Sequence, residues 1–145
     1  MAGTESEGQM KTVVRAGFVA MLATAALAAP AGAAPVKQVT STCHAGEFSG
    51  MFTLRYETSG GFHRPLGAIT TAGPYIGDVG TRSLKISYTD GLGTHAVYAN
   101  VSPASNGTYT ETLPSGLSIP ATARGTASTT FGNGTQSCVA TVLIT

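Results

Sequence analysis

The two cysteines constrain the fold of this 145-residue chain more than any other feature of its sequence. Cys43 lies near the start of the strand-like part of the chain, and Cys138 lies in the final segment, residues 134–145, which has the composition of a β-strand. A bond between them would join the first strand to the last and close a loop of about 95 residues, for which the chain-entropy model gives roughly 4–5 kcal/mol of stabilisation. The alternatives are a free nucleophilic thiol and a metal ligand, but the chain holds no further cysteine for a thiolate metal site. We therefore predict a Cys43–Cys138 disulfide.

An apolar leader precedes this part of the chain. Lys11 and Arg15 form a short basic region, residues 16–29 are uncharged and apolar, and Ala31-Gly32-Ala33 supplies the small residues that a signal peptidase accepts. The apolar run is shorter than the about 20 residues that a membrane-spanning helix needs, so a membrane anchor is the weaker alternative. We predict a secretory signal peptide that is cut after Ala33.

The predicted cleavage defines the domain organisation. Residues 1–33 comprise an N-terminal extension and the signal peptide; residues 1–9 are acidic where a signal is normally basic, so Met10 is the expected start. Residues 34–145 form one domain, which is long enough for a modest core. Export would place this domain in an oxidising compartment, where disulfides persist. The predicted localisation is secreted or extracellular, with no stable membrane insertion after signal cleavage.

After the leader, short runs of β-branched and aromatic residues alternate with Gly, Pro, Asn and Ser clusters, which is typical of antiparallel strands. Strands are predicted at 36–44, 48–58, 82–89, 95–102, 108–113, 121–131 and within 134–145, with a bulge near Gly125 and at most an edge strand at Ile119-Pro120. No helical periodicity follows the leader. The predicted fold class is all-β, an immunoglobulin-like or related Greek-key β-sandwich of seven to eight strands. The likeness is one of shape, because the chain has no Trp to pack on a disulfide.

The alternation weakens over residues 62–80. This segment holds Pro65, Pro74 and several glycines, and only residues 66–71 have the pattern of a short strand. The remainder is interpreted as loop. A loop of this length in a compact domain is either functional or wrongly assigned.

The charged residues of the predicted domain are few, nearly balanced and not clustered. The basic residues are Lys37, Arg55, Arg64, Arg82, Lys85 and Arg124, and the acidic residues are Glu47, Glu57, Asp78, Asp90 and Glu111. Binding to nucleic acid or to an anionic membrane needs a concentrated basic patch, so neither is predicted as a partner.

The search for catalytic motifs gives no match. The chain has no Gly-x-Ser-x-Gly elbow, dinucleotide fingerprint, phosphate loop or His-Glu-x-x-His pair. The histidines, His44, His63 and His95, stand apart in sequence, and a metal site would need the fold to bring them together. We predict no cofactor, no metal site and no catalytic residues.

Residues 60–65 are the best candidate for a contact surface. Phe62, His63 and Arg64 place an aromatic ring, an imidazole and a cation on a glycine stem, and Tyr75 and Asp78 are candidates to join the same surface. Binding residues commonly lie on loops that a rigid sandwich carries. The plainer interpretation of the same residues is a solvated hairpin tip.

The chain resembles small secreted proteins of high-GC Gram-positive bacteria (actinobacteria). The resemblance rests on the leader ending in Ala31-Gly32-Ala33, on Ser41-Thr42-Cys43, on residues 84–88 and on the closing residues 132–141. It is a resemblance of layout over the predicted domain, and it implies a single β-sandwich without implying an activity.

Three functions follow as hypotheses. The first is a secreted, non-catalytic binding or surface-associated module with an unidentified protein or cell-surface partner. The second is a secreted protease inhibitor, because the chain is small and has exposed Gly/Pro loops. The third is a small extracellular hydrolase that uses a histidine and loop carboxylates.

Overall fold

The computed structural model describes residues 32–74, 76 and 80–145, and their regular structure is entirely β. The strands are β1 (Val36–Ala45), β2 (Phe48–Ser59), β3 (Phe62–Ala72), β4 (Gly80–Asp90), β5 (Gly93–Ala104), β6 (Gly107–Thr112), β7 (Ile119–Pro120), β8 (Arg124–Gly132) and β9 (Ser137–Ile144). Within these residues no helix has the length and hydrophobicity to cross a membrane. The predicted extension at 1–9, nearly all of the predicted signal peptide, and Tyr75 and Asp78 lie outside the described residues.

The strands form two antiparallel sheets. One has the order β1-β2-β3-β6, with the short β7 also paired to β3, and the other has the order β5-β4-β8-β9. The chain therefore passes between the sheets after β3, after β5 and after β7. The predicted all-β, two-sheet architecture is confirmed. The described residues contain nine strands, so the predicted count of seven to eight is not confirmed.

The core lies between the sheets, and the alternation of β2 and β9 predicts its members. Phe52, Leu54 and Tyr56 of β2 are buried, as are the inward residues of β9 from Cys138 to Ile144. Successive side chains of a strand point to opposite faces, so every second residue of these strands contributes to the core. Phe131 of β8 is fully buried as well.

The predicted disulfide is confirmed. Cys43 of β1 and Cys138 of β9 are joined by an S–S bond of 2.04 Å, with their Cα atoms 5.6 Å apart. Because β1 and β9 are edge strands of different sheets, the bond closes one side of the sandwich covalently.

The opposite side of the sandwich is closed by polar side chains between the sheets, which we call the inter-sheet polar cluster. Its members lie on β3, β4, β5 and β6 and are Thr70, Arg82, Tyr98, Asn100, Tyr109 and Glu111. The Arg82 guanidinium donates to Thr70 Oγ1 at 2.8 Å and lies 4.4 Å from the centroid of the Tyr109 ring. Polar groups thus take the positions that apolar side chains occupy elsewhere in the core.

The interpretation of residues 62–65 as loop is wrong, and the strand expected at residues 66–71 is longer than predicted. Residues Phe62–Ala72 form an 11-residue strand that pairs with β2, β6 and β7. The alternation is hidden because Leu66 is an extra residue at a bulge, where the register with β2 shifts between Arg55 and Tyr56. A bulge reverses which residues face inward, so a period of two fails across it.

The prediction of a bulge near Gly125 is also wrong. β8 runs from Arg124 to Gly132 in continuous register with both β4 and β9. The glycine serves close packing instead: a Cβ at Gly125 would lie 2.9 Å from the Cβ of Ile144.

Candidate functional site

A gap in the pairing of β3 creates the most distinctive surface feature of the described residues. β3 pairs with β7 through Phe62 and His63, and with β6 from Gly67 onward, so residues 64–66 lie between the two partners. The chain that links β6 to β7, residues 113–118, passes over this gap. It is fixed at one end by the Leu113 N–H, which donates to the Leu66 carbonyl oxygen at 3.1 Å.

The space between β3 and this linking segment is a groove of about 590 Å³, which we call the β3 groove. Its lining combines apolar side chains, hydroxyl groups and one charge of each sign, from Glu57, Phe62, Arg64, Pro65, Leu66 and residues 112–118. Phe62 exposes 41% of its surface, and Leu66 exposes 36%. These are large apolar side chains that the fold leaves open to solvent on one local surface.

The β3 bulge determines which side chains line the groove. Phe62, Arg64 and Leu66 are exposed, whereas His63 and Pro65 are buried, which is the alternation of a strand. After the bulge at Leu66 the parity changes, and Ala68, Thr70 and Ala72 face the core. Without this extra residue the outward row would continue into Ala68 and the core would lose its small inward residues.

Two opposite charges lie side by side at the groove. Glu57 of β2 and Arg64 of β3 are register partners, so their Cβ atoms lie on the same outer face at about 4.5–5.5 Å, the usual spacing for such a pair. Among the described residues the only contact within 4.0 Å between a basic and an acidic side chain is that of His95 with Asp90. Glu57 and Arg64 are thus not joined by an ion pair, and both side chains line the groove.

Both walls of the groove are anchored in the core. The linking segment begins at Leu113, which is 5% exposed, and leads into Ile119 of β7, which is fully buried. Between them, Pro114, Ser115 and Gly116 are exposed, and Gly116 adopts φ +99°, a left-handed conformation that favours glycine. The segment thus forms a wall of the groove that is held at both ends, and we call its exposed residues 114–116 the crest.

His63 lies beneath the groove rather than in it. The side chain is 4% exposed, its Nδ1 lies 2.8 Å from Thr58 Oγ1, and its ring meets the Tyr56 ring edge-on with centroids 5.7 Å apart. Burial is the larger cause and the nearby Lys37 ammonium the smaller cause of a lowered pKa for His63. The imidazole is therefore neutral at pH 7.

The four residues predicted as a contact surface are thus divided. Phe62 and Arg64 line the groove, His63 faces the core, and Tyr75 lies outside the described residues. Sequence reasoning missed the opposite wall, residues 112–118. The Leu-Pro-Ser-Gly turn was visible there, but its position opposite residues 62–66 depends on the pairing of β6 and β7 with β3.

The other histidines do not form a metal centre. His44 is an exposed residue of β1, and His95 Nε2 lies 3.1 Å from Asp90 Oδ1 at the β4–β5 turn, where the imidazole stacks on Tyr88. The Leu92 N–H and then His95 lower the pKa of Asp90, and the same carboxylate caps the turn. In the ranges that the structure describes, no group of three or more His, Cys, Asp or Glu side chains could hold a metal ion.

Comparison of the chain with protein-family models, with curated proteins and with solved structures gives no match.

Proposed function

We propose that this protein is a secreted, non-catalytic binding module that holds an extended peptide segment of a partner protein in the β3 groove. The observation that carries the proposal is the exposure of Phe62 and Leu66 beside Arg64, between two walls that are both anchored in the core. Apolar surface that a small domain leaves open beside charged groups is typical of an interaction site.

The size and chemistry of the groove support a peptide as its occupant. Its volume of about 590 Å³ falls within the range of about 300–1,000 Å³ that is usual for ligand sites. The apolar side chains that line the groove can pack against aliphatic side chains of a peptide. Thr112, Ser115 and Ser118 offer hydroxyl groups to the peptide backbone. This combination suits a short extended segment better than a purely apolar ligand.

Charge complementarity specifies the segment further. Arg64 lies between Phe62 and Leu66 in the outward row of β3. A guanidinium binds carboxylates through paired N–H donors, so an acidic side chain flanked by apolar ones would match this row. We therefore propose a ligand motif of the type apolar–acidic–apolar.

NMR titration with short peptides tests this proposal. The probe is acetyl-Leu-Asp-Leu-amide, added to the uniformly ¹⁵N-labelled protein at pH 7.5. We expect the amide shifts to change at residues 62–66 and 112–118. The Asn analogue of the peptide should bind about tenfold more weakly, because a hydrogen bond to a charged group contributes about 1.5–3 kcal/mol.

Matched variants distinguish binding in the groove from binding elsewhere on the same sheet. Arg64→Gln should weaken binding of the Asp peptide about tenfold and remove its preference over the Asn analogue. Arg55→Gln is the control, because Arg55 is an exposed cation of β2 that does not line the groove. Equal effects of both variants, or shift changes spread over both sheets, would contradict the proposal.

A protease inhibitor is the second candidate. The exposed crest at residues 114–116 lies between the buried Leu113 and Ile119, and inhibitor loops need such anchoring. Titration of subtilisin and trypsin with the protein decides this candidate. Stoichiometric loss of protease activity would support it, and unchanged rates would end it.

The hydrolase hypothesis stays a prediction that depends on the exposed His95–Asp90 pair. Replacing His95 with Gln would test it against ester and peptide substrates. A substrate turned over equally by the wild type and the His95→Gln variant would exclude this pair as the catalytic one.

Export from the cell and an immunoglobulin-like strand arrangement are part of the same proposal. Export is supported by the disulfide, since such bonds persist in oxidising compartments. The likeness to immunoglobulin domains is supported by the repeated passage of the chain between two antiparallel sheets, although β1, β2 and β3 are consecutive neighbours in one sheet here. The mass of the protein recovered from culture medium tests export, since cleavage after Ala33 leaves residues 34–145.

A further inference from the structure

We propose that His63 makes the β3 groove pH-sensitive: protonation of its ring separates the two walls of the groove and releases the ligand. The release of a ligand rests on the proposed function. The opening of the groove does not depend on that function, and it can be measured without a peptide.

The position of His63 links both walls of the groove. Its neighbours in sequence, Phe62 and Arg64, line one wall, while its main chain pairs with Thr58 of β2 on one side and with Ile119 of β7 on the other. Ile119 directly follows the linking segment that forms the second wall. A change that displaces His63 must therefore disturb the junction of β3 with β7.

The surroundings of the ring disfavour a charge. The imidazole is 4% exposed and contacts Thr58 Oγ1 and the ring of Tyr56. The charged group that faces this site is the Lys37 ammonium of β1, which lies 5.8 Å from the centroid of the Tyr56 ring. The Lys37 ammonium and the Tyr56 hydroxyl both donate to the main-chain oxygen of Thr145, next to β9, so these groups are held in place.

In the part of the chain that the structure describes, no acid within ion-pair distance compensates a protonated ring. Glu57, one residue before Thr58 on β2, faces the outer surface and lines the groove. Within the described ranges, no carboxylate lies within 4.0 Å of a His63 nitrogen. An imidazolium at this position would be buried near another cation, and it gains solvation only if the β3–β7 junction opens.

The direction of the pH effect follows from the lowered pKa of His63 in the closed form. In the open form the ring is solvated and has its ordinary pKa of about 6.5. The open form therefore binds more protons, so the closed form is fully favoured above about pH 6.5 and loses its advantage as the pH falls through the lowered pKa. Within that window, each pH unit shifts the equilibrium toward the open form by up to about tenfold.

Amide hydrogen exchange tests the opening directly. The reporters are the amides of His63 and Ile119, and the reference amides are those of Ile86 and Ala127 at the β4–β8 pairing. After correction for the intrinsic pH dependence of exchange, we expect the protection of the reporters to fall between pH 7.5 and pH 5.0, with the reference amides unchanged. Loss of protection at both sets would mean general destabilisation and would overturn the proposal, as would no loss at the reporters.

The matched variants are His63→Gln and His44→Gln. Glutamine cannot titrate but can bond Thr58, so His63→Gln should remove the pH dependence of the reporters. His44→Gln removes an exposed histidine of β1 and should leave that dependence intact. If His63→Gln does not fold, the wild type still decides: the midpoint of reporter opening must coincide with the titration of the His63 ring resonances, and a different midpoint would overturn the proposal.

The peptide arm separates this inference from the proposed function. Acetyl-Leu-Asp-Leu-amide keeps its carboxylate charged at pH 5.0, because the ordinary pKa of Asp is about 3.9. We expect its affinity to fall between pH 7.5 and pH 5.0 in the wild type, in proportion to the fraction of molecules whose groove is open, and to stay constant in His63→Gln. A peptide that fails to bind at pH 7.5 contradicts the proposed function, while the exchange data still decide whether the groove opens.

Discussion

The hydroxyl of Tyr98 on β5 donates a 2.5 Å hydrogen bond to Glu111 Oε1 on β6, and this bond joins the two sheets on the side opposite the disulfide. Asn100 Nδ2 donates to the same oxygen at 2.9 Å. Hydrogen bonds to an ionised carboxylate are stronger than neutral ones, so the pair compensates the cost of placing Glu111 between the sheets. The sandwich is thus closed covalently on one side and by a charge-assisted contact on the other.

Removal of this hydroxyl should destabilise the protein. We expect Tyr98→Phe to lower the free energy of unfolding by about 1.5–3 kcal/mol, because Glu111 loses a donor in a half-buried position. Urea denaturation at pH 7 measures the change. Tyr88→Phe is the matched control: it keeps the ring that stacks on His95, and we expect a change within about 0.5 kcal/mol. Equal stability of Tyr98→Phe and the wild type would show that the contact between β5 and β6 does not hold the sheets together.

The pKa values of two tyrosines in the inter-sheet polar cluster should be shifted in opposite directions from the ordinary value for tyrosine. The hydrogen bond to Glu111 raises the pKa of Tyr98, and hydrogen bonds from the Ser105 hydroxyl and the Ser105 main-chain N–H lower the pKa of Tyr109. A raised pKa means that the contribution of Tyr98 to stability is complete below about pH 10 and is lost as the pH rises through the folded value. The absorbance of the phenolate band, followed in the wild type and in Tyr98→Phe, should show that the variant lacks a tyrosine that ionises above pH 10. Loss of an early-titrating tyrosine instead would contradict the assignment.

The sequence predicts those parts of the fold in which a strand has one apolar and one polar face. β2 and β9 meet this condition, and so Phe52, Leu54, Cys138 and their inward neighbours are identified without a structure. The disulfide follows because only one pairing of cysteines exists.

The apolar pattern does not predict the remaining elements correctly, and the reasons are physical. On β5 the inward residues Tyr98 and Asn100 are polar, whereas Val101 faces outward with 70% exposure, so the apolar pattern indicates the wrong face. On β3 the bulge at Leu66 breaks the period of two. The second wall of the groove depends on long-range pairing, which local patterns do not encode.

Gly50 of β2 should tolerate no side chain. A Cβ at this position would lie 2.2 Å from Cδ2 of Phe131, which is fully buried. We expect Gly50→Ala to destabilise the fold by about 1–3 kcal/mol, since overpacking a core displaces side chains and backbone. Thermal unfolding gives the measurement, and Gly91→Ala is its control, because a Cβ at Gly91 meets nothing within 4 Å. If both variants unfold at the same temperature, the close packing of β2 on β8 is not as described.

The disulfide should account for a large share of the stability of the domain. Replacing both Cys43 and Cys138 with Ala releases a loop with a sequence separation of 95 residues, and we expect a loss of about 2–5 kcal/mol in the free energy of unfolding. A typical domain has only about 5–15 kcal/mol in total, so this loss is a large fraction of it and should lower the midpoint of urea denaturation clearly. Urea denaturation with and without a reductant measures the effect, and the double variant is its own control because a reductant can no longer act on it. Denaturation curves of the wild type that coincide with and without reductant, while both thiols react with an alkylating agent, would show that the covalent link between β1 and β9 does not stabilise the sandwich.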